Sequence, residues 1–479
     1  MNLALPAPPP GRLPDGFAVR LDPRTRRLDD GATLLGGSPL RLLRLSARAR
    51  DLLGSDRLVV RDATTATLAA RLLDSGTAHP DLATTTDIVD VTVVIPVRDR
   101  PAALGRLLTA LRDDPATCGL PIVVVDDGSV DAVAVARQAA AADATVLRHL
   151  TARGPAAARN AGLRTARTDA VAFLDSDCVP LAGWLEILAP HLADPRLALV
   201  APRIRALDGG PRGWLTRYEA VAGALDMGVQ AAAVRPFSAV SYVPSAALLV
   251  RRAALGNGFD EAMRVAEDVD LVWRLAAAGW RVRYEPAAAV AHEHRTASAE
   301  WLRRRAFYGT GAALLAARHG SAVAPVVVAP SAALVWLLAV AGGCPGRLGA
   351  SAVLGWRTLR LARRMRRPGM ASPVVLPAGL VLRGTSVAGR SLARAVTRHW
   401  GPVALLGARG SRTVRRWVLV VAVADAADAW WPRRHEVGPV RFALARRLED
   451  LGYGAGLWWG ALRHRQPRAL LPARPPRLE

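Results

Sequence analysis

Lysine is absent from the 479 residues. All 64 basic side chains are arginine, set against 40 acids, for a net charge of +24. An excess of that size suggests nucleic acid, but no basic-aromatic stripe or groove-reading motif accompanies it, so nucleic acid is set aside as a partner. Arginine, alanine, glycine and proline are abundant together, a bias that GC-rich coding produces. Cysteine is scarce. Cys118, Cys178 and Cys344 are odd in number and widely spaced, which gives neither a disulfide framework nor a zinc spacing and suits a reducing compartment. The Pro-rich stretch 1–11 lacks the apolar core of a secretory signal. What the chain has in quantity is apolar residues, 51% of the total, and a length that exceeds one ordinary core and suggests two to four units.

The most informative feature is Asp175-Ser176-Asp177, directly after the apolar run 170–174. Two carboxylates one residue apart at the end of a buried strand can hold a divalent cation from one side. Mg²⁺ and Mn²⁺ take oxygen ligands, keep some waters, and are shared with substrate phosphates. Most isolated Asp-x-Asp pairs are solvated loop carboxylates, so the surroundings decide.

Residues 1–10 read as disordered. Residues 11–80 read as a small α+β unit, with strands at 17–21 and 32–35 and helices at 47–53 and 64–73. This pattern suggests a winged helix. The second helix carries Arg71 and little else that would read a groove. A polar linker covers 81–90. From 91 to 298 buried strands alternate with helices, the pattern of a mostly parallel sheet covered on both faces. Strands are expected at 91–96, 121–125, 145–147 and 170–174, and helices at 101–111, 132–142 and 154–165. Ligands of such sheets sit beyond the carboxyl ends of the strands. Three successive strand ends carry polar groups there: Arg98-Asp99, Asp126-Asp127 and Asp175-Ser176-Asp177.

The motifs form an ordered set. Val93-Val-Ile-Pro-Val-Arg-Asp-Arg-Pro101, Ile122-Val-Val-Val-Asp-Asp-Gly-Ser129, Gly154-Pro-Ala-Ala-Ala-Arg-Asn-Ala-Gly162, Leu174-Asp-Ser-Asp-Cys178 and Ala266-Glu-Asp-Val-Asp-Leu-Val-Trp-Arg274 resemble the signature of family 2 glycosyltransferases. The resemblance implies a GT-A α/β fold. It places Asp126 or Asp127 at the nucleotide base, where a carboxylate accepts the uracil imide N–H. It puts Arg159 and Asn160 near the diphosphate, where a helix start also offers N–H groups and a positive dipole end. Asp177 is the stronger metal ligand, and Asp175 lies on the metal or the ribose. His292, 24 residues after Asp268, completes the metal set in some relatives, and imidazole with carboxylate suits Mn²⁺ at least as well as Mg²⁺. Asp268 resembles the catalytic base, which takes the proton of the acceptor hydroxyl as it attacks the anomeric carbon. One in-line displacement then inverts that centre. Val97 and Asp99 stand where the family has Thr and Asn or Glu. Trp184, Trp214, Tyr218 and Trp273 are candidates for stacking on acceptor sugars, although such rings are more often core.

The region 299–479 reads as amphipathic and membrane-associated helices. A basic amphipathic helix is expected at 299–319. Residues 321–344 then run 24 positions without a charge, enough to cross a bilayer core at about 1.5 Å per residue. The seven arginines and no acids of 346–370 point to the cytoplasmic face. The apolar stretches 372–389 and 402–424 are interrupted by arginine and suit an interfacial or re-entrant placement.

The segments 16–22, 35–46 and 66–74 resemble the small peptide-binding winged helix of ribosomal peptide maturation, the pyrroloquinoline quinone chaperone type. That type takes a leader peptide as an added strand. Its fusion to a family 2 domain resembles the glycosyltransferases of the mycofactocin system. This implies a UDP-glucose donor, a peptide-derived redox cofactor as acceptor, and a β-1,4-glucan product. Two other readings stand beside it. One is a family 2 enzyme extending a cell-envelope glycan or lipid-linked sugar, and the other is a non-catalytic membrane scaffold.

Overall fold

The computed structural model describes residues 5–85, 90–207, 213–293, 297–365 and 374–475. The chain divides into two compact units, residues 1–295 and 296–479.

The first unit opens with two small antiparallel sheets. One joins β5 (Arg57–Val59), β1 (Ala18–Leu21) and β6 (Ala78–Pro80); the other joins β2 (Arg26–Leu28), β3 (Thr33–Gly36) and β4 (Arg41–Arg44). Helix α1 (Ala47–Leu53) starts at Ser46, whose hydroxyl accepts from Ala49 N–H. Helix α2 (Ala63–Ser75) starts with reciprocal hydrogen bonds between Asp62 and Thr65 and ends at Gly76 in the left-handed region. Its buried face, Leu68, Ala69, Leu72 and Leu73, closes a core with Phe17, Val19, Leu34 and Leu58. Four of the six strands have no sequence-level signal because each is only three or four residues long and arginine-rich or Pro-capped.

The remainder of this unit holds a nine-stranded sheet. Its strands are β7 (Val91–Val97), β8 (Ile122–Asp127), β9 (Thr145–His149), β10 (Ala170–Leu174), β11 (Cys178–Pro180), β12 (Leu197–Ala206), β13 (Ala232–Ala233), β14 (Ala247–Arg251) and β15 (Arg281–His292). The order is β11-β15-β12-β14-β10-β7-β8-β9, with β13 on β15. The run β10-β7-β8-β9 is parallel, as the alternating pattern requires. The sheet is mostly parallel, as expected, with β15, β12, β10, β7, β8 and β9 running one way, but it is not purely so: β14 runs antiparallel between β10 and β12, and β11 and β13 run antiparallel to β15. Helices α3 (Pro101–Asp113), α4 (Ala132–Ala141), α5 (Pro155–Thr165), α6 (Trp184–Leu188), α7 (Trp214–Ala222) and α8 (Glu267–Ala277) accompany it. Val93, Ile95, Val124, Ala172 and Leu174 are fully buried under Leu104, Leu107, Leu108 and Leu111 of α3. A buried Val, Leu or Ile contributes about 1.5–3 kcal/mol, so this cluster holds the strand ends in place. Gly162 brings α5 onto β7: a Cβ there would lie 2.2 Å from Val94 Cγ1.

The second unit is helical: α9 (Ser298–His319), α10 (Pro330–Ala341), α11 (Gly343–Met365), α12 (Val375–Arg398), α13 (Gly401–Gly410), α14 (Arg412–Trp430) and α15 (Pro439–Arg463). Helices α9 and α15 pack closely, with Gly452, Gly456 and Gly460 set against Leu302, Ala306 and Thr310. The charge-free stretch 321–344 is not one spanning helix. It holds the end of a 3-10 turn, an extended piece in which Val326 and Val328 pair with Ala473, and the 12-residue α10. A break follows at Gly342 and Gly343. Twelve residues rise about 18 Å, well short of a bilayer core of about 30 Å. Among the described residues no helix is long and apolar enough to cross a membrane.

Candidate active site

Strands β10, β7 and β8 run parallel, so the residues that follow them share one edge of the sheet. The β8 end is the most tightly tied. The buried Asp126 accepts from Ser129 N–H at 2.9 Å and from Arg148 at 3.1 Å. Asp127 accepts from Arg153 N–H at 2.8 Å and Gly154 N–H at 2.7 Å, and meets His149 Nδ1 at 2.7 Å. A carboxylate offers about four acceptor sites. Three on Asp127 are occupied, which leaves room for one further donor. These contacts tie the segment that opens α5 to the end of β8. Gly128 turns between them at φ +74°, where a Cβ would come within 2.8 Å of Ala152 N.

Arg159, one turn into α5, is buried and bridges two acids. It donates to Asp175 at 2.6 Å and to Glu267 at 3.2 Å, and its guanidinium lies 5.4 Å from the centre of the Phe259 ring. Asn160 is also buried. Its amide donates to Phe259 O and Glu261, and its oxygen accepts from Phe259 N–H. Asn160 thus braces the 259–261 segment, and Arg159 links the Asp-x-Asp end to the start of α8.

Asp177 has partners of its own, different from those of Asp175. Antiparallel pairing sets Cys178 opposite His292, which brings His292 Nε2 to 3.4 Å from Asp177 Oδ1. The other oxygen, Oδ2, accepts from Arg100 at 2.5 Å. Asp177 and His292 therefore supply two ligand atoms side by side, while Asp175 is engaged by Arg159. Among the described residues no three His, Cys, Asp or Glu side chains converge closely enough to hold an ion. A cation here would need oxygens from a bound diphosphate to complete its shell, as Mg²⁺ and Mn²⁺ commonly do.

Asp268 stands in the first turn of α8, preceded by Ala266 at φ +63°. A non-glycine residue in that region stores of order 1 kcal/mol or more, and such strain clusters at functional sites. The Asp268 carboxylate accepts from Val269 N–H at 2.8 Å and Ser245 N–H at 3.2 Å. Burial, and then the neighbouring Glu267 carboxylate, push it up to about 7 against the pull of these donors and Arg159. A base with that value is poised near neutral pH. The Arg159 guanidinium thus lies between Asp175 and Glu267, and Glu267 directly precedes the candidate base Asp268 in α8.

Three of the four candidate stacking rings are core residues: Trp184, Tyr218 and Trp273 are at most 4% exposed. Trp273 also donates to Ser241 O. Only Trp214 keeps partial exposure. Sequence reasoning gave no role to Arg100, Arg148, His149 or Glu267. Arg100 and Glu267 lie within quoted motifs and Arg148 and His149 directly follow the expected strand 145–147, but the partner of each is distant in the chain.

Residues 92–257 match the model of "Glycosyl transferase family 2". The chain is 48% identical over 471 residues to the "Pre-mycofactocin glycosyltransferase" of Mycobacterium tuberculosis, covering 96% of this chain and 98% of that one. It is 29% identical over 212 residues to the succinoglycan biosynthesis protein ExoU of Rhizobium meliloti, covering 40% and 59%. Among solved structures, the mannosyltransferase PcManGT from Pyrobaculum calidifontis, in complex with GDP-Man and Mn²⁺, is 20% identical with a TM-score of 0.38, covering 74% and 90%. Identity near one half over almost the full length of both chains takes in the N-terminal and helical units as well as the matched domain, and the chain belongs to glycosyltransferase family 2, alongside the mycofactocin-system glycosyltransferases.

Proposed function

We propose that the protein transfers glucose from UDP-glucose onto pre-mycofactocin, a peptide-derived redox cofactor precursor, and extends it as a β-1,4-glucan. The observation that carries this is the 48% identity to the pre-mycofactocin glycosyltransferase over 98% of that protein. The sugar and the linkage rest on the family resemblance.

Asp268 takes the proton of the acceptor hydroxyl as its oxygen attacks the anomeric carbon. Attack comes from the face opposite the leaving diphosphate, so the centre inverts. Asp126 and Asp127 hold the nucleotide end, and Asp175 lies beside the ribose. Arg159 and Asn160 support the diphosphate end by fixing Asp175 and the 259–261 segment. Asp177 and His292 would hold a divalent cation, Mn²⁺ or Mg²⁺, with Asp175 nearby. When bound, the ion offsets charge that develops on the leaving UDP.

The N-terminal unit is proposed to dock the peptide. Its two sheets end in the edge strands β5, β6, β2 and β4, and an edge can take an added strand. The helical unit is proposed to associate with the cytoplasmic face of the membrane. It exposes Leu337, Leu348, Trp356, Leu406 and Trp459, each more than half, among many arginines.

The test is a purified-enzyme assay with UDP-glucose, Mn²⁺ and the decarboxylated, cyclised peptide product, read by mass spectrometry. A ladder of hexose additions that vanishes in Asp268→Asn supports the proposal. UDP-glucose hydrolysis with no addition sinks it and turns attention to lipid-linked and envelope-glycan acceptors.

A further inference from the structure

Arg100 and Arg159 both pair with acids of the Asp-x-Asp segment, yet their surroundings differ. Arg159 is buried and held by two carboxylates. Among the described residues Arg100 has one side-chain partner, Asp177, and one third of its side chain is exposed. Its stem is fixed. Asp99, at φ +54°, donates its N–H to Ser129 Oγ at 2.9 Å, and its carboxylate accepts from Val130 N–H at 2.8 Å. Pro101 then starts α3. The backbone is thus anchored, and among the described residues the guanidinium is tethered by Asp177 alone.

The contact is on the oxygen a cation would need. With His292 on Oδ1 and Arg100 on Oδ2, both Asp177 oxygens are faced by protein groups. A dication arriving alone must break the Arg100 pair and then sit within a few ångströms of a freed positive charge. A dication arriving with a nucleotide diphosphate meets neither penalty in full, because the diphosphate gives the guanidinium a bidentate anionic partner.

Building on the metal reading of Asp177 and His292 proposed above, we propose that Arg100 holds the Asp177 carboxylate in place of a cation when no nucleotide is bound. It then transfers to the donor diphosphate, so that divalent cation and nucleotide enter together. Arg100 is on this account a positioning residue that couples the two ligands. The coupling is reciprocal: nucleotide tightens metal and metal tightens nucleotide by the same factor.

The test is Mn²⁺ titration of the full-length protein, following free Mn²⁺ by electron paramagnetic resonance, with and without UDP. Wild type is expected to bind Mn²⁺ weakly alone and at least about tenfold more tightly with UDP. Arg100→Gln is expected to bind Mn²⁺ alone about tenfold more tightly than wild type, and to lose most of the gain from UDP. Arg106→Gln, which removes a cation paired with Glu293 rather than Asp177, controls for general charge and should leave the titration close to wild type. An Arg100→Gln affinity for Mn²⁺ alone that is unchanged or weaker overturns the inference while leaving the metal site intact. No Mn²⁺ bound by either protein, even with UDP, overturns the metal reading and the inference with it.

Discussion

At the scale of single residues, Asp268 is where environment alters chemistry most. Its carboxylate is raised to about 7, first by burial and then by Glu267. A base acts only when ionised, so transfer should be slow at pH 5.5 and rise through about 7 to a plateau in kcat/KM. Asp268→Asn should lower kcat by roughly 10²–10⁴, with little change in affinity for UDP-sugar measured separately by calorimetry. The same shift has a sign in stability. A carboxylate whose folded value lies above its unfolded value of about 4 supports folding fully below that value. That support fades as pH rises through about 7. The melting temperature of Asp268→Asn should therefore depend less on pH between 5 and 8 than that of wild type. His79 shows the same cause acting with the opposite sign. Burial holds its value down, and it lies between Asp22 and Arg283, which suits a neutral ring donating to one and accepting from the other.

At the scale of elements, glycine sets how near two helices approach. A Cβ at Gly456 of α15 would fall within bonding distance of Ala306 O on α9, and backbone cannot yield as a flexible side chain does. Gly456→Ala should destabilise the helical unit by about 1–3 kcal/mol or more, read as a lower denaturation midpoint. Gly355→Ala, in open space on α11, should leave the midpoint at or slightly above wild type, since alanine favours the helix over glycine. The parallel strands were legible because 91–96, 121–125 and 170–174 are apolar runs followed within three residues by an acid. Strands β12, β14 and β15 were not named from the sequence, and the reversal of β14 between β10 and β12 could not be, since a buried strand has the same composition in either direction. The strand β4, Arg-Leu-Leu-Arg, exposes Leu42 and buries only Leu43, a pattern too short to show period 2.

At the scale of the whole molecule, arginine organises the first unit. Arg281 and Arg196 converge on Asp74 of α2, Arg235 donates to the carbonyls of Ser38 and Asp74, and Arg283 meets His79. These bonds tie the N-terminal sheets to the catalytic sheet. Asp74 is 42% exposed, so screening limits its pairs to about 1 kcal/mol. Asp74→Ala should raise the rate of limited proteolysis in the N-terminal unit and leave the core midpoint almost unchanged. The apolar surface of the helical unit makes a separate prediction. The full-length protein should float with anionic liposomes at low salt and release partly at high salt, because arginine attraction is screened while apolar insertion is not. Sedimentation without lipid at every salt concentration would defeat the interfacial placement.

The sequence by itself determined the family, the ordered motifs, the Asp-x-Asp end and Asp268, because these depend on residue type and spacing along continuous runs. It also showed that 321–344 is apolar. It did not show that Pro330, Gly342 and Gly343 confine that stretch to a helix of twelve residues. Tertiary structure alone decided the pairings. Arg159 reaches Glu267 across 108 positions in the chain, Arg100 reaches Asp177 across 77, and His292 arrives through an antiparallel register that no local pattern encodes. Charge in a site is set by distance, and distance between remote residues is fixed only when the sheet is assembled.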